Sequence, residues 1–239
     1  MASSSGEKRL FKWGGFVIIF FMRLKNNSKL LDIYDRMYNH LGPSRWWPGD
    51  SPLEVMVGAI LTQNTAWGNV ERAIKRLKAE GALSPSFLHR VDETVLSEWI
   101  RPAGYYRIKA RRLKNFFDFF LREYQGKIQK MQNQPLESLR WELLAVKGIG
   151  PETADSILLY ALNMPTFVVD TYTHRIFSRH RFIDDDIGYE ELQAYFMDHL
   201  PSDPQLYNEY HALLVRLGKE YCKKKEPRCD ACPLKDMDF

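Results

Sequence analysis

From Leu30 onward the apolar residues of this chain recur at helical spacing, and proline and glycine interrupt that pattern again and again. Leu30, Leu31, Ile33, Tyr34, Met37 and Tyr38 share one helical face, and Phe116, Phe117, Phe119, Phe120 and Tyr124 another. Breaks at Gly42-Pro43, Trp47-Pro48-Gly49, Pro52, Gly81, Pro85, Pro102, Gly104, Pro135, Pro165 and Pro201 predict about ten short helices, each too short to persist in water without packing. Alternating β-type pattern is nearly absent, so the fold class is all-α. With 239 residues, 45% of them hydrophobic and 13% aromatic, the chain can bury one large core or two modest ones sharing a cleft. No internal repeat or low-complexity tract is present.

The net charge is only +4, so affinity for a polyanion must come from where the cations sit rather than from their excess. The densest basic run before the tail is Arg107, Lys109, Arg111, Arg112 and Lys114, suited to a phosphate backbone or, equally, to a solvated helix face. At the N-terminus Lys8, Arg9 and Lys12 precede the apolar run Gly15–Phe21, which is too short to span a bilayer and is followed by Met22 and Arg23 rather than by a small-residue cleavage site. Residues 1–29 are therefore expected to be an extension outside the patterned domain, disordered or ahead of the true start, with a membrane anchor as the alternative. Cys222, Cys229 and Cys232 all fall within the last eighteen residues, a poor disulfide framework and a good metal-ligand cluster, and they favour a reducing compartment.

The segment with the most chemistry in it is Leu143–Ala154, in which an apolar helix end meets Lys147-Gly148-Ile149-Gly150 and a new helix opens with Pro151. Two glycines around one apolar residue allow a tight reversal, and amides at the following helix start suit a phosphate. Eighteen residues after Glu152, Val168-Val169 delivers Asp170 at the head of another helix, as an N-cap, a catalytic carboxylate, or both.

A glycine hairpin followed at this distance by a Val-Asp element resembles the helix-hairpin-helix DNA glycosylases, the superfamily of endonuclease III, and the resemblance runs from about Leu30 to the C-terminus. It implies a two-lobed fold: a helical barrel over residues 51–162 that includes the hairpin, and a second lobe from residues 30–50 plus 163–239. Ile60-Leu61-Thr62-Gln63-Asn64-Thr65 resembles the family segment whose glutamine fills the gap left by a flipped nucleotide, and Gly104-Tyr105-Tyr106 with Lys109-Ala110 resembles another recurrent family turn. The implied DNA contacts are Gln63, Arg107, Lys109, Lys147, Gly148, Ile149 and Gly150. Bifunctional relatives place after Gly-Pro a lysine whose amine attacks the sugar and leads to strand cleavage; this chain has Glu152 there, which cannot form that imine. The resemblance thus implies a monofunctional glycosylase acting through Asp170, with Glu152 touching base or water or merely favouring its helix N-terminus.

Trp46-Trp47-Pro48 and Trp67, which follows Gln63 by four residues, suggest a stacking pocket and resemble 3-methyladenine DNA glycosylase III. A methylated purine is cationic and electron-poor, so indole faces hold it well, and it departs with little acid assistance. Alternatives are a mismatch or oxidised-base glycosylase and, from another class, a DNA-binding module without catalysis. The cysteine spacing, six and then two intervening residues, resembles the iron-sulfur loop of endonuclease III relatives, whose fourth cysteine falls where this chain has Asp238. A 4Fe-4S cluster with Asp238 as fourth ligand, a labile cluster, and zinc on three cysteines and Asp238 all remain open. The implied partner is double-stranded DNA with a damaged base, bound by a monomer in bacterial or archaeal cytoplasm, with no membrane association.

Overall fold

The computed structural model describes residues 16–44, 46 and 49–237, with side chains from Lys29 onward. Within these residues twelve α-helices follow one another: α1 (Phe16–Leu41), α2 (Pro52–Leu61), α3 (Trp67–Ala79), α4 (Pro85–Arg90), α5 (Glu93–Trp99), α6 (Tyr106–Tyr124), α7 (Ile128–Gln132), α8 (Leu136–Ala145), α9 (Pro151–Ser156), α10 (Thr171–Arg179), α11 (Tyr189–His199) and α12 (Pro204–Glu220). The punctuation anticipated from the sequence sets many of their starts. Ser51, Ser84 and Asp203 accept backbone N–H groups as N-caps immediately before a proline at the first helical position, and Asp92 and Asp170 cap α5 and α10. α1 begins at Phe16, within residues 1–29, and neither glycine nor proline interrupts the chain between Phe16 and Leu41.

Two hydrophobic clusters form. The first draws on α2 to α9, from Val55 to Met164, and centres on Phe116, Phe117 and Phe120 of α6. The second joins Leu30, Ile33 and Met37 of α1 to Phe167, Val168 and Val169 and to α10–α12, around the stacked rings of Phe167 and Phe196, 4.0 Å apart. Gly218 of α12 lies so close to Tyr172 of α10 that any Cβ there would collide with the ring, which is how these two helices approach face to face.

The clusters meet along the continuation of α9. After Ser156 the helix widens into a π-turn, Ile157–Ala161, which packs against both α2 and α12. Its Tyr160 belongs to both clusters. Such turns displace side chains from the α-helical register and recur at functional positions. Among the described residues no helix is long and apolar enough to cross a membrane.

Candidate active site

Asp170 is the N-cap of α10. Its Oδ1 accepts from the amides of Tyr172 (2.9 Å) and Thr173 (2.8 Å) and from the Thr173 hydroxyl (3.0 Å). With Oδ1 saturated, Oδ2 is left to face His211 of α12, whose Nε2 stands 3.6 Å away, too far for a direct hydrogen bond. Both side chains are close to fully buried, 11% and 7% exposed. Burial pushes the Asp170 carboxyl upward, but the His211 ring and the hydrogen bonds from Thr173 outweigh it and hold the group below the usual carboxylate range. A buried carboxylate therefore stays ionised.

The hairpin supplies the opposite wall. Glu152, in the first turn of α9, keeps part of its surface exposed, yet desolvation at the cleft first and the Asp170 charge second raise its carboxyl pKa, partly offset by His211. Tyr160 bonds His211 through its phenol and the ring Nδ1. Burial first, and then Asp170 and Glu152, drive the phenol pKa far up, so it stays protonated. Trp46 stacks on Tyr160 with centroids 6.5 Å apart and planes 19° from parallel, and meets His211 edge-on at 6.2 Å. The loop bearing Trp46 is tied to α12 by Ser44, whose amide and hydroxyl both donate to the Glu209 carboxylate at 2.6 Å. The result is an aromatic wall of Trp46 and Tyr160 beside two carboxylates and an imidazole.

The segment that carries Asp170 is fixed from behind by Asp155, wholly buried one turn after Glu152. Arg140 of α8 grips it through Nε (2.8 Å) and Nη2 (3.1 Å), and Tyr189 and Gln193 of α11 donate to it at 2.9 and 2.8 Å. Gln193 also donates to the Phe167 carbonyl and the Val169 amide donates to the Tyr189 hydroxyl, so this network holds the residues leading into Asp170.

Other predicted residues fall differently. Trp67 leaves the pocket: its ring packs on Gly58 of α2 within the first cluster, and its Nε1 donates to Glu71. Trp47 and Asp238 lie outside the described residues. Gln63 turns to the hairpin, donating to the Gly148 carbonyl (3.0 Å) and the Thr153 hydroxyl (2.9 Å) while accepting from Arg112. To enter a base stack it must first release these bonds. Gly148 has φ +100°, and a Cβ there would strike the Arg112 side chain, so the tight reversal needs this glycine. The Ile149 side chain is buried in the first cluster and its amide closes the turn onto Val146. The amides of Gly148 and Gly150 find no partner among the described residues. Arg107 and Lys147 are exposed and line one cavity of about 500 Å3 with Arg111, Arg112 and Asn115, beside the hairpin.

Lys109 requires a correction. Expected on phosphate, it is 1% exposed and donates inward to the carbonyls of Leu61 and Ala103, each at 2.8 Å, and to the Thr65 hydroxyl at 2.6 Å. Burial, aided by the Arg112 charge, pushes its pKa down to about 8. The amine ties the end of α2 to the turn before α6. Lys109→Met is expected to cost about 1–3 kcal/mol of stability by stranding those acceptors, seen as a lower Tm, and to leave the salt dependence of DNA binding unchanged.

Cys222, Cys229 and Cys232 line a single cavity of about 330 Å3 together with Arg179, Arg181 and Lys235. Arg179 donates to the Cys222 sulfur at 3.4 Å and to two loop carbonyls, and burial raises the Cys232 thiol pKa. Among the described residues no three His, Cys, Asp or Glu side chains converge as a single-ion site. Three thiols facing one cavity with a cationic rim are a donor set suited to thiolate ligation.

Sequence reasoning did not anticipate His211 or Tyr160. One histidine on the apolar face of a helix, and one tyrosine in an apolar run, carry no motif; only the fold brings them to Asp170.

A helical cleft with a hairpin on one wall and a capped aspartate on the other defines a base-excision repair fold. The chain belongs to the HhH-GPD superfamily of base excision DNA repair proteins, whose family model matches residues 57–202. It is a DNA glycosylase of endonuclease III type. A Methanocaldococcus jannaschii protein, provisionally named as a DNA repair glycosylase, is 48% identical over 90% of this chain and 98% of its own length. Endonuclease III of Sulfolobus acidocaldarius is 30% identical over 76% of this chain and 78% of its own. Among solved structures, a trapped endonuclease III–DNA covalent intermediate superposes with TM-score 0.75 at 25% identity, covering 87% of this chain and 93% of that one. The Helicobacter pylori 3-methyladenine DNA glycosylase bound to 1,N6-ethenoadenine superposes with TM-score 0.68 at 29% identity, covering 83% and 97%.

Proposed function

We propose that this protein is a monofunctional DNA N-glycosylase that removes an alkylated purine, such as 3-methyladenine, from double-stranded DNA. The observation that carries this reading is Asp170, a buried carboxylate kept ionised beside an aromatic wall, with a carboxylate at 152 rather than an amine. The damaged nucleotide is flipped into the cleft and its base lies against Trp46, where an electron-rich indole favours a cationic purine. The C1′–N bond breaks and its electron pair leaves with the base, cancelling the base's positive charge. Positive charge moves to the sugar, where Asp170 stabilises it. Water then adds at C1′ and passes a proton to Asp170. Lys147, Arg107 and the amides of Gly148 and Gly150 hold the phosphate backbone. The likeness to the Helicobacter pylori 3-methyladenine DNA glycosylase supports the substrate class.

Cys222, Cys229 and Cys232 hold a 4Fe-4S cluster in this reading, with Asp238 as the fourth ligand by its spacing. The cluster would brace the basic C-terminal loop, not serve the bond-breaking step. Iron and sulfide assay of protein purified without oxygen is the check, with about four of each per chain expected.

The test of function is incubation with dimethyl-sulfate-treated duplex DNA, scoring released bases by chromatography and strand breaks on a gel. Release of 3-methyladenine or 7-methylguanine without nicking is expected. Borohydride during the reaction is expected to trap no protein–DNA adduct, since no lysine stands at 152. Nicking with a trapped adduct would overturn the monofunctional reading, and release of mismatched or oxidised bases alone would overturn the substrate class.

A further inference from the structure

His211 is the buried polar group of the cleft that the reaction above leaves unused. The residue is 6% exposed, and its Nε2 has no hydrogen-bond partner among the described residues. An unpaired buried polar atom is costly in a folded protein, so its orientation calls for an explanation.

Its other nitrogen fixes the tautomer. The Tyr160 phenol has one proton to give, and His211 Nδ1 is the acceptor it meets. If Tyr160 donates, Nδ1 is the bare nitrogen and Nε2 carries the hydrogen. That N–H then points at Asp170 Oδ2, 3.6 Å away. In the opposite arrangement a lone pair would face a carboxylate and the phenol hydrogen would be stranded. The first arrangement satisfies both partners.

The distance is informative. At 3.6 Å the N–H and the carboxylate are too far apart to bond each other, yet both can reach one oxygen at ordinary hydrogen-bond length. Asp170 Oδ1 is unavailable, because the α10 cap occupies it. We infer that His211 is a positioning residue, its Nε2–H and Asp170 Oδ2 together holding the water that attacks C1′. This rests on the hydrolytic reading above. The water accepts from His211 and donates one proton toward Oδ2, which turns its remaining lone pair to the sugar. After the base has left with the C1′–N electron pair, the C1′–O bond forms on the sugar cation and that proton transfers to Asp170. His211 neither gains nor loses a proton. Tyr160 keeps its own proton and sets the tautomer, and the Ser44–Glu209 clamp, two residues before His211 on α12, keeps Trp46 over the pair.

Two measurements test this. Nitrogen-15 NMR of histidine-labelled protein reads the tautomer directly and does not depend on activity: His211 is expected as Nε2–H with Nδ1 bare, and Tyr160→Phe is expected to loosen that preference. A ring with bare Nε2 overturns the inference even if the enzyme is active. In single-turnover base release, His211→Ala is expected to slow the step about 100-fold, with DNA affinity retained. The acid limb of its pH profile should move up as Asp170 loses the facing ring. In water–methanol mixtures it should also yield a larger share of methyl deoxyriboside, because the cleft no longer selects a held water. His211→Gln, which keeps an N–H donor, should recover part of the rate. A rate loss with unchanged pH limb and unchanged methanol share would mark a structural role and overturn the inference. Failure of the wild type to release any base would instead sink the hydrolytic reading, and the water-holding role would fall with it while the tautomer measurement stood.

Discussion

Asp170→Asn is expected to reduce base release by about 1000-fold or more while duplex binding persists. The substitution separates two jobs that one side chain performs. Asparagine is as good an N-cap as aspartate, so its Oδ1 can still accept from Tyr172, Thr173 and the Thr173 hydroxyl, and α10 keeps its start. What disappears is the negative charge at Oδ2, and with it both the stabilisation of the sugar cation and the acceptor for the water's proton. Stability should report the same charge. The folded-state pKa of Asp170 is depressed, so its contribution is present above the unfolded carboxylate pKa and is lost as pH falls through the folded value. The wild type should therefore melt somewhat above Asp170→Asn at neutral pH, and the two curves should converge in acid. Single-turnover kinetics on methylated DNA, gel-shift binding and thermal melts across pH decide the matter. A variant that releases base at the wild-type rate would remove Asp170 from the chemistry.

The parts of this site that were legible in the sequence are those set by local rules. A hairpin needs glycine where φ is positive and proline can open a helix, so Gly148 and Pro151 announced themselves. Asp170 was visible for a similar reason, since a carboxylate at a helix start has a local job before it has a catalytic one. Residue type alone misled wherever burial decides the role. Trp46 and Trp67 read alike along the chain, yet one stacks on Tyr160 and the other fills the groove above Gly58. Lys109 read as one more cation of a basic run, and the structure turns it inward to cap carbonyls. His211 and Tyr160 were invisible because they meet Asp170 through tertiary packing, and Tyr160 is placed by a π-turn that no spacing rule anticipates.

Asp155 is another such residue, and its partner Arg140 gives the second large effect: Arg140→Met is expected to destabilise the protein by about 3–5 kcal/mol. The Asp155 side chain is 0% exposed and that of Arg140 15%, so the bidentate pair sits in the interior, with Glu190 adding a second carboxylate to the guanidinium at 2.9 Å. Methionine matches the aliphatic stem but leaves the Asp155 charge buried against the hydrogen bonds of Tyr189, Gln193 and Thr166 alone. Neutralising Asp155 as well should repair much of the loss, because the cost lies in the orphaned charge rather than in the missing attraction. Arg140→Met with Asp155→Asn is therefore expected to melt well above Arg140→Met alone, a non-additivity that a double-mutant cycle reads directly. The same network holds Phe167 and Val169, so Arg140→Met should also lower base release in protein that remains folded, through displacement of Asp170 rather than loss of its charge. Equal melting temperatures for the single and double variants would show that Asp155 does not depend on Arg140 for its charge, and the network would then be packing alone.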